Sequence, residues 1–240
     1  RAMHLFVVDN PLNVVDHSKN VQPHLFIGVP RIYEKIYSNL KSAIDSKAVL
    51  KIGLKLPILS NVFKNLLKKK TGFSETKYAG SGAAPINPNI LKFFRSLDFP
   101  IYEGYGMTEN AAVATINFQG NNSIGSVGKA IPGTEVKIAD DGEILLKGDH
   151  VMRGYYKNQN ATSETIIDGW LYTGDIGTLD AEGFLKITGR KKELYISSAG
   201  KNIAPLVIEE TMKSITIVSQ CFLIGDKRKY CTALFTLDVS

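Results

Sequence analysis

The stretch Thr76-Lys77-Tyr78-Ala79-Gly80-Ser81-Gly82-Ala83-Ala84-Pro85-Ile86-Asn87-Pro88 decides the fold class. Thr76 to Ala79 reads as a short strand, and the small residues after it form a loop. Asn87 then caps a helix with Pro88 at its first position, and Ile90, Leu91, Phe94 and Leu97 recur on its inner face. Phe99 to Tyr102 reads as a second strand that runs into another glycine-rich loop. Strand, loop, helix, strand, loop is the rhythm of an α/β sheet whose loops hold the ligand.

Upstream, Ile32, Tyr33, Ile36, Leu40 and Ile44 mark a helix from Pro30 to Asp45. A further helix is expected from Ser60 as N-cap to just before Gly72, with Val62, Phe63, Leu66 and Leu67 on its face. Downstream of Gly125 the period changes. Thr134 to Ala139 and Glu143 to Lys147 alternate around Asp140-Asp141-Gly142, and Trp170 to Thr178 and Phe184 to Thr188 repeat the pattern around Asp180 to Gly183. Past Arg190 come a strand, a helix opened by Pro205 and a hairpin from Gln220 to Leu237. The expected organisation is an α/β part over 1–124, a β-rich part over 125–189, and a hinge with α+β segments over 190–240.

The chain has 240 residues, 44% of them hydrophobic and 22% charged, the profile of a globular protein rather than a disordered one. No apolar run reaches membrane-spanning length, and the start lacks the layout of a signal peptide. Cys221 and Cys231 are too few for a disulfide framework, so both are read as reduced and the compartment as cytoplasmic. The net charge of +6 favours anionic partners. Nucleic acid is excluded from these, because no basic stripe is interleaved with exposed aromatics. The first residue, Arg1, and the strand at the end lead to the expectation that the sequence is an internal stretch of a longer protein.

Four segments carry chemistry. Gly82, Ala83 and Ala84 lie in a loop of small residues that lets backbone groups approach a flat ligand. In Tyr102-Glu103-Gly104-Tyr105-Gly106-Met107-Thr108-Glu109, a tyrosine between two glycines offers a ring to a base. Thr108 offers a hydroxyl to a phosphate oxygen there, and Glu109 offers a hard carboxylate to magnesium. Asp175 is one carboxylate in an otherwise apolar or glycine-containing strand, suited to the vicinal hydroxyls of a ribose. Arg190 closes a strand with a planar, permanently charged donor. Each also has a plainer reading: a tight turn, a core tyrosine, a turn-capping Asp, a solvated charge run.

Taken together, in this order and spacing, the four segments resemble the adenylate-forming superfamily of acyl-CoA synthetases, luciferases and peptide-synthetase adenylation domains. The resemblance covers nearly the whole chain. His24-Leu25-Phe26-Ile27-Gly28-Val29-Pro30-Arg31-Ile32-Tyr33-Glu34-Lys35-Ile36-Tyr37 looks like the segment marking the long-chain fatty acyl-CoA synthetase branch. Gly200-Lys201-Asn202-Ile203-Ala204-Pro205 and Ile224 to Tyr230 look like C-terminal segments of that branch.

The resemblance implies part of a large N-terminal adenylate-forming domain, α/β with a β-rich distorted barrel, followed by the start of a small α+β domain. It implies ATP, Mg2+ and CoA as cofactor and co-substrates and a fatty acid as substrate. Gly82 to Ala84 and Glu103, Gly104, Tyr105 and Gly106 would enclose adenine, Thr108 would touch phosphate, and Glu109 would hold magnesium. Asp175 and Arg190 would bind ribose, Lys192 would be the hinge, and the loop Ser197-Ser198-Ala199-Gly200 would face the pantetheine of CoA. A phosphate loop ending in Pro-Lys-Gly and a C-terminal catalytic lysine are also implied. Neither motif occurs in this sequence; Lys201, Lys227 and Lys229 lie outside the lysine's context. The chain by itself is therefore expected to hold the nucleoside without adenylating.

The stretch from Lys47 to Lys70 has no acidic residue and reads either as a peripheral contact with an anionic membrane or as a solvated lysine face. Gly53 and Pro57 prevent a single amphipathic helix there. Two other functions fit the motifs: a ligase that loads acyl groups onto a carrier protein, and a non-catalytic nucleotide-binding module.

Overall fold

The computed structural model describes residues 3–8, 10, 13–54, 56–196, 198, 200, 202–213, 215 and 217–237. The chain divides into two compact units, 1–102 and 103–240, with the division inside one strand.

The first unit contains α1 (Val14–Val21), β1 (Leu25–Gly28), α2 (Pro30–Asp45), α3 (Ala48–Gly53), α4 (Pro57–Thr71), β2 (Tyr78–Ser81) and α5 (Pro88–Ser96). Strands β1 and β2 are parallel, with Leu25 opposite Tyr78 and Gly28 opposite Ser81. Helix α2 buries Tyr33, Ile36, Leu40 and Ile44, as its spacing predicts, and α5 buries Ile90, Leu91 and Phe94. Between them Phe73 stacks on Phe99 at 5.1 Å, and Phe26 lies 4.8 Å from Phe73. The side chain of Asn87 accepts a hydrogen bond from the Asn89 amide, so the predicted cap is present.

Three expected boundaries move. Helix α4 begins at Pro57 instead of at a Ser60 cap, because the fixed φ of proline suits the first helical position. Its end at Gly72 stands, with φ at 81°; a Cβ there would lie 2.4 Å from the Lys19 amide nitrogen. Strand β2 starts at Tyr78 rather than Thr76 and takes in Gly80 and Ser81. Strand β3 (Ile101–Tyr105) starts later than Phe99, whose amide donates back to the Phe94 carbonyl at the exit of α5.

The second unit takes the end of β3 and pairs Gly104 and Tyr105 with β4 (Thr115–Ile116), which pairs with β5 (Lys129–Ala130). A curled antiparallel sheet follows, in the order β10 (Leu185–Arg190), β9 (Trp170–Leu179), β7 (Glu143–Lys147), β6 (Glu135–Ile138), with β8 (Ile166–Ile167) on β9. A short helix, α6 (Gln159–Thr165), precedes β8. The core of this sheet is Tyr105, Ala114, Ile144, Leu146, Leu171 and Leu185.

Beyond it lie β11 (Tyr195–Ile196), β12 (Asn202–Ile203), α7 (Pro205–Lys213), and the hairpin of β13 (Val218–Ile224) and β14 (Thr232–Leu237). The hairpin register sets Cys221 opposite Phe235, and both cysteines are free thiols. Alternating α/β segments followed by an antiparallel, β-rich half give the predicted fold class.

Candidate functional site

In the first unit, Gly82, Ala83 and Ala84 leave β2 as an exposed turn, with Ala83 in the left-handed region at φ 69°. The strand end before the turn is anchored from within. Tyr33, fully buried, donates its phenol hydrogen to the Gly80 carbonyl at 2.8 Å.

In the second unit, the glycine-bracketed tyrosine lies in a strand. The ring of Tyr105 is buried in the sheet core and not open between its glycines, and its phenol donates to Asp175 Oδ2 at 2.7 Å. Burial pushes the phenol's pKa up, and the Asp175 charge adds to the rise. Asp175 is itself buried; the strand register sets Arg190 opposite it, and Arg190 Nε lies 3.2 Å from Oδ1. Tyr105, Asp175 and Arg190 thus converge from three separated segments. Gly106 allows the next turn to close, because a Cβ there would come within 2.2 Å of the Ala112 carbonyl oxygen.

That turn carries Thr108 and Glu109. Asn110, fully buried, accepts from the Met107 amide at 2.7 Å and fixes the turn, leaving the Thr108 side chain exposed. Glu109 is held twice from one loop: its carbonyl accepts from the Met152 amide at 2.7 Å, and its Oε1 accepts from the Tyr155 phenol at 2.9 Å. The Glu109 charge raises the Tyr155 pKa through that bond. Oε2 of Glu109 is outside the bond. A single carboxylate of this kind suits magnesium, which keeps waters and phosphates as its other ligands.

Beside Asp175 lies a set of residues without a role in the sequence reading. Glu143, buried in β7, accepts from the Gly174 amide at 2.8 Å and from Lys191 Nζ at 2.7 Å. Lys191 also lies 2.6 Å from Asp141. Thr173 Oγ1 donates to the Ile144 carbonyl and accepts from the Asp175 amide. The signal for Glu143 was an acid opening an otherwise apolar strand; Tyr155 had no comparable signal in the sequence.

Lys192 sits exposed on a short 3-10 turn, with no ion pair to a described residue. Gly200 is exposed in the left-handed region at φ 76°, and no described residue beyond its chain neighbours lies within 4 Å of where a Cβ would stand. Ser197 and Ala199 of the expected pantetheine loop, and Lys201 beside it, lie outside the described residues.

A family model described as AMP-binding enzyme matches residues 3–156. The chain is 35% identical over 240 residues to the long-chain-fatty-acid–CoA ligase FadD15 of Mycobacterium bovis, covering 90% of this chain and 40% of that one. It is 37% identical over 250 residues to the long-chain-fatty-acid–CoA ligase ACSBG2 of Xenopus laevis, covering 91% of this chain and 34% of that one. The solved O-succinylbenzoate coenzyme A synthetase of Bacillus subtilis, in complex with ATP and magnesium ion, superposes with a TM-score of 0.70 at 26% identity, over 95% of this chain and 45% of that one. The chain thus spans less than half the length of each of these relatives, and it belongs to the AMP-binding enzyme family.

Proposed function

We propose that this chain is the nucleoside-holding part of an AMP-forming acid–thiol ligase that activates long-chain fatty acids. The observation that carries the reading is the convergence of Tyr105 and Arg190 on the buried Asp175. A carboxylate fixed in this way by two donors keeps lone pairs for the two hydroxyls of a ribose. Support for the substrate class comes from the relatives, which are named as long-chain-fatty-acid–CoA ligases.

In the proposed reaction a fatty carboxylate oxygen attacks the α-phosphorus of ATP and pyrophosphate leaves. The CoA thiolate then attacks the acyl carbonyl carbon and AMP leaves. Charge builds on phosphate oxygens in the first step, so positioning and cations supply most of the acceleration. We assign Gly82, Ala83, Ala84 and the backbone of Glu103 to Gly106 to adenine, with the Tyr105 ring kept in the core, Thr108 to phosphate, and Asp175 and Arg190 to ribose. Glu109 is assigned to magnesium, which neutralises phosphate charge when bound. The parts 1–124, 125–189 and 190–240 are the proposed domains. The last of them turns about Lys192 between the two half-reactions and brings Gly200 toward CoA. Thioester formation on a carrier protein is the alternative second step.

The test is acid-dependent ATP–pyrophosphate exchange by the native protein, from acetate to long-chain fatty acids. Exchange that peaks with long chains supports the reading. Absence of exchange with every acid, from protein that still binds AMP, moves the function to a nucleotide-binding module. The chain by itself is proposed to be inactive, and acyl-adenylate formed by it above a no-protein control overturns that point.

The lysine-rich stretch has one observation in favour of membrane contact. Helix α4 turns Leu59, Val62 and Leu66 outward, and α3 does the same with Val49 and Ile52. Exposed Lys69 and Lys70 end the α4 stripe. We propose that this face rests on an anionic membrane at its cytoplasmic side. Flotation with liposomes that is independent of anionic lipid rules it out.

A further inference from the structure

Glu143 stands out once the ribose carboxylate is set aside. Its side chain is only 5% exposed, in a strand whose next residues, Ile144, Leu145 and Leu146, are all buried. A carboxylate in such surroundings is costly unless both oxygens are satisfied. Here both are: Oε1 by the Gly174 amide at 2.8 Å and Oε2 by Lys191 at 2.7 Å. Gly174 has φ 73°, a left-handed residue inside a strand, and it is the residue immediately before Asp175. The Glu143 side chain therefore grips the backbone at the point where β9 departs from regular extension, and the departure sets the direction of the Asp175 side chain.

The cation side is equally specific. Arg190 and Lys191 are consecutive, and they pair with Asp175 and Glu143 respectively. Lys191 also reaches Asp141, whose own Oδ1 accepts from the Glu143 amide at 3.1 Å. Asp141 is half-exposed, so the buried Glu143 is the partner that needs Lys191 most.

We propose that Glu143 is a positioning residue for Asp175, acting through the Gly174 amide and held in its rotamer by Lys191. The proposal rests on the assignment of Asp175 to ribose. It predicts that Glu143 and Lys191 govern recognition of the ribose hydroxyls without touching the nucleotide.

The experiment is calorimetric titration of the full native protein with AMP and with 2′,3′-dideoxy-AMP. The wild type is expected to prefer AMP by about tenfold, the value of a hydrogen bond to a charged group. Glu143→Ala and Lys191→Met are expected to bring the ratio near unity. Lys191→Arg keeps the cation and is expected to restore most of it. Asp141→Asn is expected to leave the ratio unchanged. A ratio kept at the wild-type value in folded Lys191→Met overturns the positioning role, as does a loss of affinity for both nucleotides alike. No preference in the wild type overturns the ribose assignment itself. If Glu143→Ala fails to fold, the Lys191→Met and Lys191→Arg pair decides alone.

Discussion

Tyr105 and Asp175 lie 70 residues apart in the chain and meet in a direct, buried hydrogen bond of 2.7 Å. Because burial raises the phenol's pKa above its ordinary value, Tyr105 stays a protonated donor at neutral pH. Tyr105→Phe keeps the ring in the core and removes only the donor. The expected cost is about 1–3 kcal/mol of unfolding free energy, the penalty for a buried acceptor that loses its partner. Urea unfolding measures it; a midpoint equal to that of the wild type would mean that Asp175 is satisfied elsewhere.

Tyr155→Phe tests the hold on Glu109. Loss of the 2.9 Å bond frees the carboxylate to swing but keeps its charge. Because the pair is exposed, the effect is moderate: with Glu109 assigned to magnesium as proposed, the magnesium concentration for half-maximal pyrophosphate exchange by the full native protein is expected to rise about threefold, with the rate at saturation nearly unchanged. A fall in the saturated rate alone would place Tyr155 in the chemistry rather than in the support of Glu109.

Tyr33→Phe tests the anchor beneath the first loop. Tyr33 is fully buried, and its hydroxyl reaches the Gly80 carbonyl. Removal of the hydroxyl is expected to cost about 1–2 kcal/mol and to speed hydrogen exchange of the amides at 81–84 about tenfold. Exchange at 81–84 that stays at the wild-type rate would sever the tyrosine from the loop.

Acid should release the ion pair of Lys191 and Asp141. The lysine beside it holds the Asp141 carboxyl below its ordinary value of 3.8. A carboxyl depressed in the folded state contributes stability that is fully present above 3.8 and disappears as the pH falls through the lowered value. The pair is half-exposed, so Asp141→Asn is expected to cost only ~0.5 kcal/mol at neutral pH. Urea titrations of the two proteins should converge well below the ordinary carboxyl range. A gap that survives there would point to a role other than the ion pair.

Local signals were readable where one residue dictates the backbone. The stripe of Tyr33, Ile36, Leu40 and Ile44 defines α2, and Asn87 with Pro88 opens α5 as expected. The two hairpins of the β-rich half follow from alternation around Asp140-Asp141-Gly142 and Asp180 to Gly183. What escaped the sequence depends on pairing between distant segments. Gly104 and Tyr105 are strand because β4 supplies partners. Glu143 and Tyr155 acquire roles only when Gly174 and Glu109 are brought beside them. Helix α6 was missed although Asn158 caps it, since no apolar stripe marks the seven residues that follow.

Ala83, Ala111 and Ala112 all hold left-handed backbone, at φ 69°, 55° and 84°. For a residue with a methyl group this costs about 1–2 kcal/mol each, and the flanking strands must keep the loops wound against it. On warming, the loops at 82–84 and 106–112 should relax before the sheets that carry them. If these loops hold the ligand as proposed, binding is expected to be lost while the far-ultraviolet spectrum is still native, so that the midpoint for function lies below the midpoint for fold.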